Sequence, residues 1–324
     1  MDCDTRPEHA SSPGTRQVDS PTDITVVITT KNRIDCLPRA VESALAQHGN
    51  VEVLVIDDGS TDGTAEVIRQ RFPAARVVRD EASRGYIVQR NRAAQLARGR
   101  ILLSIDDDAV LTTPDLAGQV LAHFDHPRVG VVAIPVLHVN SRTEVEQLAP
   151  SGDGIWAYGL FIGTAYAVRR DVFLALGGFR ELFFHQGEER DFALRLLAAG
   201  YIVRLAQTDR IDHFESPRRS FTRMDRYGRR NDILFTYFNA PLASLPGMLL
   251  RLTAAGLLHG FKVRRPLNML IGLLMGYRDV IRYAGARRPV PSSVWSLFRR
   301  LRQPTQLEEI EPLLPAPAAV TVPS

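Results

Sequence analysis

Ile101-Leu102-Leu103-Ser104-Ile105-Asp106-Asp107-Asp108 is an apolar run that stops abruptly in three carboxylates. Read alone, it is a buried strand whose acidic end either meets solvent or gathers like charges at one point. Carboxylates only a few ångströms apart repel one another unless a cation sits between them. Hard oxygen ligands suit Mg²⁺ or Mn²⁺, and Mg²⁺ is usually held by one or two carboxylates together with substrate phosphates. An earlier stretch repeats the design: Val51-Glu52-Val53-Leu54-Val55-Ile56 runs into Asp57-Asp58-Gly59-Ser60. Ligands of open α/β sheets bind outside the carboxyl ends of the strands, so both acidic sets are expected to face one crevice.

Outward from these two strands the text alternates. Ile24 to Thr30 reads as a buried strand, Leu37 to Gln47 as a helix, and Asp62-Gly63-Thr64 opens a helix through Arg71. Arg76 to Val78 is a short strand and Val88 to Ala97 a helix closed by Gly99. After the three aspartates, a helix is expected from Pro114 to His123, strands at Val129 to Val136 and Thr164 to Val168, and a surface excursion over Asn140 to Gly154. Asp171 to Leu176 and Glu188 to Ala199 read as helices, with Gly200 as a cap and Tyr201 to Leu205 as the last core strand. Such alternation predicts an α/β fold, a mostly parallel Rossmann-like sheet with helices on both faces.

The 324 residues carry 45% hydrophobic side chains, enough for a real core. Met1 to residue 22, rich in Ser, Pro, Asp and Thr, reads as a disordered tail, and 303–324, Pro-rich and acidic, as a flexible one. The start of the chain lacks the apolar core of a signal peptide, and Cys3 and Cys36 make no disulfide framework, which fits a cytoplasmic setting. Net charge is +4, but Arg210 to Arg302 holds 18 basic residues against 5 acidic ones, leaving an acidic remainder. That basic part suits phosphates or anionic lipid. No nucleic-acid-binding motif and no regular interleaving of aromatic and basic residues accompany it, so a nucleic-acid partner is not expected.

The apolar blocks Leu252 to Phe261 and Pro266 to Tyr277 fall short of the roughly 20 residues of a spanning helix. They are expected as amphipathic helices in a basic region, 241–302, that packs on the core or lies on the inner face of a membrane. In the second case Arg251, Lys262, Arg264, Arg265, Arg278 and Arg282 would meet the headgroups.

In order and spacing, one set of motifs resembles the family 2 glycosyltransferases of the GT-A fold, inverting enzymes of polysaccharide synthesis that include rhamnosyltransferases. The motifs are Val27-Ile28-Thr29-Thr30-Lys31-Asn32-Arg33, Asp57-Asp58-Gly59-Ser60, Arg90-Asn91, Asp106-Asp107-Asp108, Gly177-Gly178-Phe179, Gly187 through Leu196, and His213. The likeness covers about Thr22 to Asn239 and marks 23–240 as the glycosyltransferase domain. It implies a nucleoside diphosphate sugar as donor, a hydroxyl acceptor on a glycan or lipid-linked glycan, and a divalent cation, Mg²⁺ or Mn²⁺. It also implies donor contacts from Thr29, Thr30, Arg33, Asp57, Asp58, Arg90, Asp106 and Asp107, and metal contacts from Asp108, Asp106 and His213. Arg84 stands where relatives often carry a different pattern before the glycine, yet an arginine there can face donor phosphate.

Transfer to a hydroxyl needs a base within hydrogen-bond reach of the acceptor proton. Glu188, Glu189 and Asp191 begin a helix, where ionised acids are favoured by the dipole and would also serve as simple caps. In relatives the base is usually the aspartate of a Glu-Asp pair; Glu189 occupies that position here, one methylene longer, so the base stays open among the three. The cluster Arg218, Arg219, Arg223, Arg226, Arg229 and Arg230 has a spacing that can put several guanidiniums on one helical face, as a lid over a diphosphate, a dock for a lipid-linked acceptor, or a solvated surface. Two other readings remain at this stage. One is a sugar-nucleotide nucleotidyltransferase, although the glycine-rich loop usual after its first strand is missing here. The other is a non-catalytic nucleotide- or carbohydrate-binding module at the membrane.

Overall fold

A computed structural model describes residues 22–215 and 220–318. The first three strands, β1 (Ile24–Thr30), β2 (Val51–Asp57) and β3 (Arg76–Arg79), are joined by helices α1 (Leu37–Leu45) and α2 (Thr64–Arg71). Helix α3 (Tyr86–Leu96) leads into β4 (Ile101–Asp106), and the chain then makes β5 (Ala109–Leu111), α4 (Leu116–Ala122), β6 (Val129–Ala133), β7 (Val136–His138), β8 (Trp156–Tyr158) and β9 (Tyr166–Arg169). It continues through α5 (Arg170–Ala175), α6 (Glu188–Ala198), β10 (Ile202–Leu205), β11 (Ile211–His213), α7 (Phe221–Asn239), α8 (Leu245–Lys262), α9 (Pro266–Arg282), α10 (Ser292–Arg300), β12 (Thr305–Gln306) and α11 (Leu307–Ile310).

Nine strands form one sheet in the order β12-β8-β10-β6-β9-β4-β1-β2-β3. The expected parallel core is present: β3, β2, β1 and β4 run in one direction. β9 lies antiparallel between β4 and β6, and β8 lies antiparallel between β10 and the edge strand β12. The reading of one strand from Val129 to Val136 is corrected, because the chain leaves the large sheet after Ala133 and β7 joins β5 and β11 in a second, three-stranded sheet.

Strand order reverses around β1, and there the register sets the site. Thr30 lies beside Asp57 on β2, and Thr29 beside Asp106 on β4, so both acidic strand ends open on the same side. β1 is buried along its whole length, and β2 and β4 are apolar on both faces, as a sheet covered by helices requires. Phe161, Phe173, Phe179 and Phe192 fill the space under α6, with ring centroids 5.0 to 6.5 Å apart. Such aromatic pairs each add about 0.5–1.5 kcal/mol beyond the area they bury.

Two expectations for the C-terminal third change. The segment from 303, expected to be flexible, is docked through residue 318: β12 pairs with β8, Leu307 and Ile310 are buried, and Arg128 donates to the Pro315 carbonyl at 2.6 Å. A few apolar anchors and backbone pairings suffice to fix a stretch whose average composition reads as disorder. The tail expected over 1–22 lies, up to residue 21, outside the described residues.

The apolar blocks are also longer than the sequence suggested. A short 3₁₀ turn continues into α8, so Leu242–Lys262 is one 21-residue stretch long and apolar enough, by length and composition, to cross a membrane. In the fold it lies against α7 and α9, and close approach explains how: a Cβ on Gly260 would fall 2.9 Å from the Pro266 Cα, and one on Gly272 would fall 2.5 Å from the Arg226 carbonyl oxygen. Glycine at these points lets the three backbones touch.

Candidate active site

At the carboxyl ends of β1, β2 and β4 lies a cleft of about 630 Å³ lined by Thr30, Arg33, Arg84, Asp107, Asp108 and Arg223, among others. A second cleft of about 950 Å³, bordered by Arg90, Gly163, His185 and Glu189, adjoins it, and Tyr86, Asp106, His213, Glu215 and Arg223 line both. Of the acids expected to face one crevice, Asp58, Asp106, Asp107 and Asp108 all line the first cleft, and Asp106 lines the second as well.

The three aspartates do different jobs. Asp107 accepts from the Thr30 hydroxyl at 2.8 Å and from Arg33 Nε at 3.1 Å, and burial pushes its carboxyl up to about 7. Asp108 accepts from Arg33 and lies 3.0 Å from His213 Nε2. Burial alone would raise its pKa, but the hydrogen bond and charge of His213, with the Arg33 guanidinium, hold it below the usual carboxylate value. Asp106 accepts from Arg90 Nη2 at 2.8 Å. Oxygens of Asp106 and Asp108 and a nitrogen of His213 lie within 4.8 Å of one another, a hard oxygen and imidazole set that fits a divalent cation. The other His213 nitrogen is 3.0 Å from His138 Nδ1, and the same His138 atom is 3.1 Å from a Glu215 oxygen. Outer partners of this kind orient an imidazole ligand.

Beside the second cleft stands the glutamate pair that opens α6. Glu188 is fully buried and lies 3.3 Å from Arg90 Nη1, while Glu189 is partly exposed and 3.9 Å from the same nitrogen. Burial, and next the charge of Glu188, hold the Glu189 carboxyl well above the ordinary glutamate range. Arg90 thus links the metal-side Asp106 to the glutamate pair, and its second Nη2 partner is the Gly163 carbonyl at 2.9 Å. Gly163 leaves room for this arrangement, since a Cβ there would sit 2.4 Å from Glu189 Oε1 and 2.7 Å from Arg90 Nη1 and would displace both side-chain ends. Arg90 holds the walls together from behind; it lines the second cleft and not the one with Thr30 and Arg84.

Three residues expected in the site serve the scaffold. Asp57 is fully buried, caps the Ser60 amide at 2.8 Å and lines neither cleft. Asp58 borders the first cleft, but its oxygens accept from Ser83 Oγ, the Arg84 and Gly85 amides and Gln89 Nε2 at 2.6 to 3.3 Å, and those bonds overcome burial to lower its pKa. It shapes the loop that carries Arg84. Asp191 is fully buried, paired with Arg180 at 2.7 Å and Arg195 at 2.9 Å, and hydrogen-bonded by Asn239. Asp191 also lines neither cleft, which sets it apart from Glu189 among the candidate bases.

The arginine cluster also separates. Arg218 and Arg219 lie outside the described residues. Arg230 is buried against Asp279 at 2.6 Å and Arg226 bonds Asn268, two ties from α7 to α9, while Arg229 pairs with Asp232 one turn along α7 itself. Arg223 alone of the described four borders both clefts. Tyr86, Gly163, His138 and Glu215 were not found by sequence reasoning, because nothing in their local text distinguishes them from ordinary core or loop residues.

A model of the family described as "Glycosyl transferase family 2" matches residues 25–180. This segment belongs to glycosyl transferase family 2. Among curated relatives, the succinoglycan biosynthesis protein ExoU of Rhizobium meliloti is 40% identical over 106 residues, 32% of this chain and 31% of that protein. The glucosyltransferase WfaP of Escherichia coli, named for a diphosphoundecaprenol substrate, is 24% identical over 59% of this chain and 76% of its own length. The chain covers only 18% to 37% of the length of four such relatives. Among solved structures, TarS 1-349 of S. aureus superposes with a TM-score of 0.59 at 17% identity, covering 86% of this chain and 87% of that one. The mannosyltransferase PcManGT of Pyrobaculum calidifontis, described with GDP-Man and Mn²⁺, gives 0.55 at 20% identity, covering 87% and 80%. The GT-A arrangement expected from the sequence, a large mixed sheet with helices, is therefore the fold of this chain. The matched segment ends before α6, so the glutamate pair rests on geometry alone.

Proposed function

We propose that this chain is an inverting glycosyltransferase that moves a sugar from a nucleoside diphosphate donor to a hydroxyl on a glycan or lipid-linked glycan. The observation that carries the reading is the pair of joined clefts, one bordered by cations and the Asp106–Asp108–His213 set, the other by Glu189. The donor lies in the first, with Thr29, Thr30, Arg33, Arg84 and Asp107 along its length and Arg223 at the boundary. Asp106, Asp108 and His213 would hold Mg²⁺ or Mn²⁺, which would neutralise negative charge on the departing diphosphate.

Glu189 is the base. Its raised affinity for protons makes the ionised carboxylate a stronger acceptor than an ordinary glutamate. It takes the acceptor hydroxyl proton while the acceptor oxygen bonds to the anomeric carbon, and the bond from that carbon to the diphosphate oxygen breaks on the opposite face. Glu188 and Arg90 position Glu189, and Gly163 leaves room for it. Rate enhancement then comes from alignment of the reactants and from preorganised charge.

Peripheral contact with a membrane, at its inner face if the chain is cytoplasmic, fits the C-terminal helices. Leu250, Leu258 and Phe261 on α8 are at least 70% exposed, and α8 carries Arg251 and Lys262 with no acidic residue. The reading is tested by mass-detected transfer from UDP- and GDP-sugars with Mn²⁺ present. Asp108→Ala should lower kcat/KM by about 10⁴-fold and abolish the Mn²⁺-dependent rise in Tm given by the matching nucleotide; unaltered turnover would remove the metal set from the account.

A further inference from the structure

The second cleft does not end at Glu189. A passage of about 330 Å³ bordered by Gly163, Gln186, Glu189 and Arg190 leaves it, and Leu160, Arg190 and Asp232 line both this passage and a cavity beyond of about 450 Å³. That volume is in the range of small-molecule sites. Its floor is aromatic: Phe235, Trp295 and Phe298 lie with ring centroids 5.9 to 6.4 Å apart, and Met248 and Leu252 of α8 add an aliphatic wall.

The rim is cationic. Arg251, Arg299 and Arg302 are exposed around this apolar floor, and none pairs with a carboxylate among the described residues. Arg190 stands at the join between passage and cavity, with its guanidinium 4.2 Å from the Phe235 centroid and one end bound to Asp232 at 2.8 Å. Its buried Nε has no hydrogen-bond partner among the described residues. A buried donor left unsatisfied is costly, on the order of 1–3 kcal/mol. A sugar or nucleobase could stack on the rings but would leave the aliphatic wall of Met248 and Leu252 unmatched, and a plain hydrocarbon would leave the guanidiniums unmatched. An alkyl chain ending in phosphate matches both.

We propose that this cavity binds the lipid diphosphate part of the acceptor, with its alkyl or prenyl chain on Phe235, Trp295 and Phe298, its anionic group among the arginines, and the acceptor sugar reaching Glu189 through the passage. The inference rests on the glycosyl-transfer reading and narrows the acceptor to a lipid-linked one. α8 forms one wall of the cavity and also carries the outward leucines, so a chain lying in a bilayer would enter along the same helix.

Farnesyl diphosphate, with farnesol and inorganic pyrophosphate as partial probes, tests it by calorimetric titration of the full chain without metal, which disfavours diphosphate entry to the donor cleft. Farnesyl diphosphate should bind at least about tenfold more tightly than either partial probe, each factor of ten being about 1.4 kcal/mol. Leu252→Trp, which fills the cavity, and the double variant Arg251→Gln/Arg299→Gln should each weaken it by about tenfold or more. Affinity no better than that of farnesol, or unchanged in Leu252→Trp, overturns the proposal. The Mn²⁺-dependent Tm rise with UDP or GDP is measured on the same samples. If it is retained while farnesyl diphosphate fails, the lipid site alone falls; if it is absent from the unsubstituted chain, the glycosyl-transfer reading falls instead.

Discussion

The crevice at the ends of β1, β2 and β4 and the helical wall of α7 to α10 treat charge in opposite ways. In the crevice almost every acid is matched: Asp106 and Glu188 by Arg90, Asp107 and Asp108 by Arg33, Asp108 again by His213. On the outer part of the wall, Arg251, Arg299 and Arg302 meet no carboxylate among the described residues, and large apolar side chains face outward. Matched, buried charge fixes side chains in place, which suits chemistry that tolerates little misalignment. Unmatched cations beside apolar surface suit a partner that supplies the missing anion and hydrocarbon.

The sharpest way to break this contrast is inside the crevice. Glu189→Gln should lower kcat by about 10³-fold while the nucleotide-dependent Tm rise persists, because a base is lost and the donor cleft is not. In the unsubstituted enzyme the acid limb of kcat/KM should lie above the pKa of an ordinary glutamate, since Glu189 must lose a proton whose affinity burial and Glu188 have raised. A limb at ordinary carboxylate pH would assign the base elsewhere.

Asp191→Asn should destabilise the fold by about 2–3 kcal/mol in urea melts, since removing one member of a buried ion pair strands the other and here two arginines lose their partner. The activity remaining in the folded fraction should keep its pH profile. A loss of kcat without a loss of stability would return Asp191 to the list of bases.

On the wall, Leu258→Glu/Phe261→Glu should weaken flotation with anionic phosphatidylglycerol vesicles by about tenfold and leave soluble-acceptor turnover unchanged. The smallest expected effect concerns His185, whose pKa burial, with the charge of Arg223, brings down to about 4 from 6.5. The neutral form is the one the fold favours, so the stability it contributes is complete above pH 6.5 and is lost as pH falls toward 4. His185→Gln should flatten that part of the Tm profile, removing about 1–2 kcal/mol of acid sensitivity.

The parallel strands and the crevice were legible because uninterrupted apolar runs ending in acids leave few alternatives. The register that sets Thr29 beside Asp106 then follows from the fold. Roles within the crevice were less legible. Asp57, Asp58 and Asp191 look like ligands in the text, but backbone amides from 60, 84 and 85 and the Arg180–Arg195 pair claim them, contacts that arise between segments distant in sequence or from turn geometry. Composition misled most at 303–318, where three or four buried side chains outweigh a polar average. Gly163 could have been singled out by no local pattern, since its reason is the carboxylate of Glu189 across the cleft.

Helix α8 turns its smallest side chains, Gly256 and Gly260, toward its neighbours, while Leu250, Leu258 and Phe261 face solvent. The usual gradient of a water-soluble helix is reversed, so the hydrophobic effect gives it no reason to stay monomeric in plain buffer. Purified samples should cluster through this face as concentration rises and disperse with a mild detergent, while the sheet and its crevice, on the other side of the glycine contacts, stay unaltered.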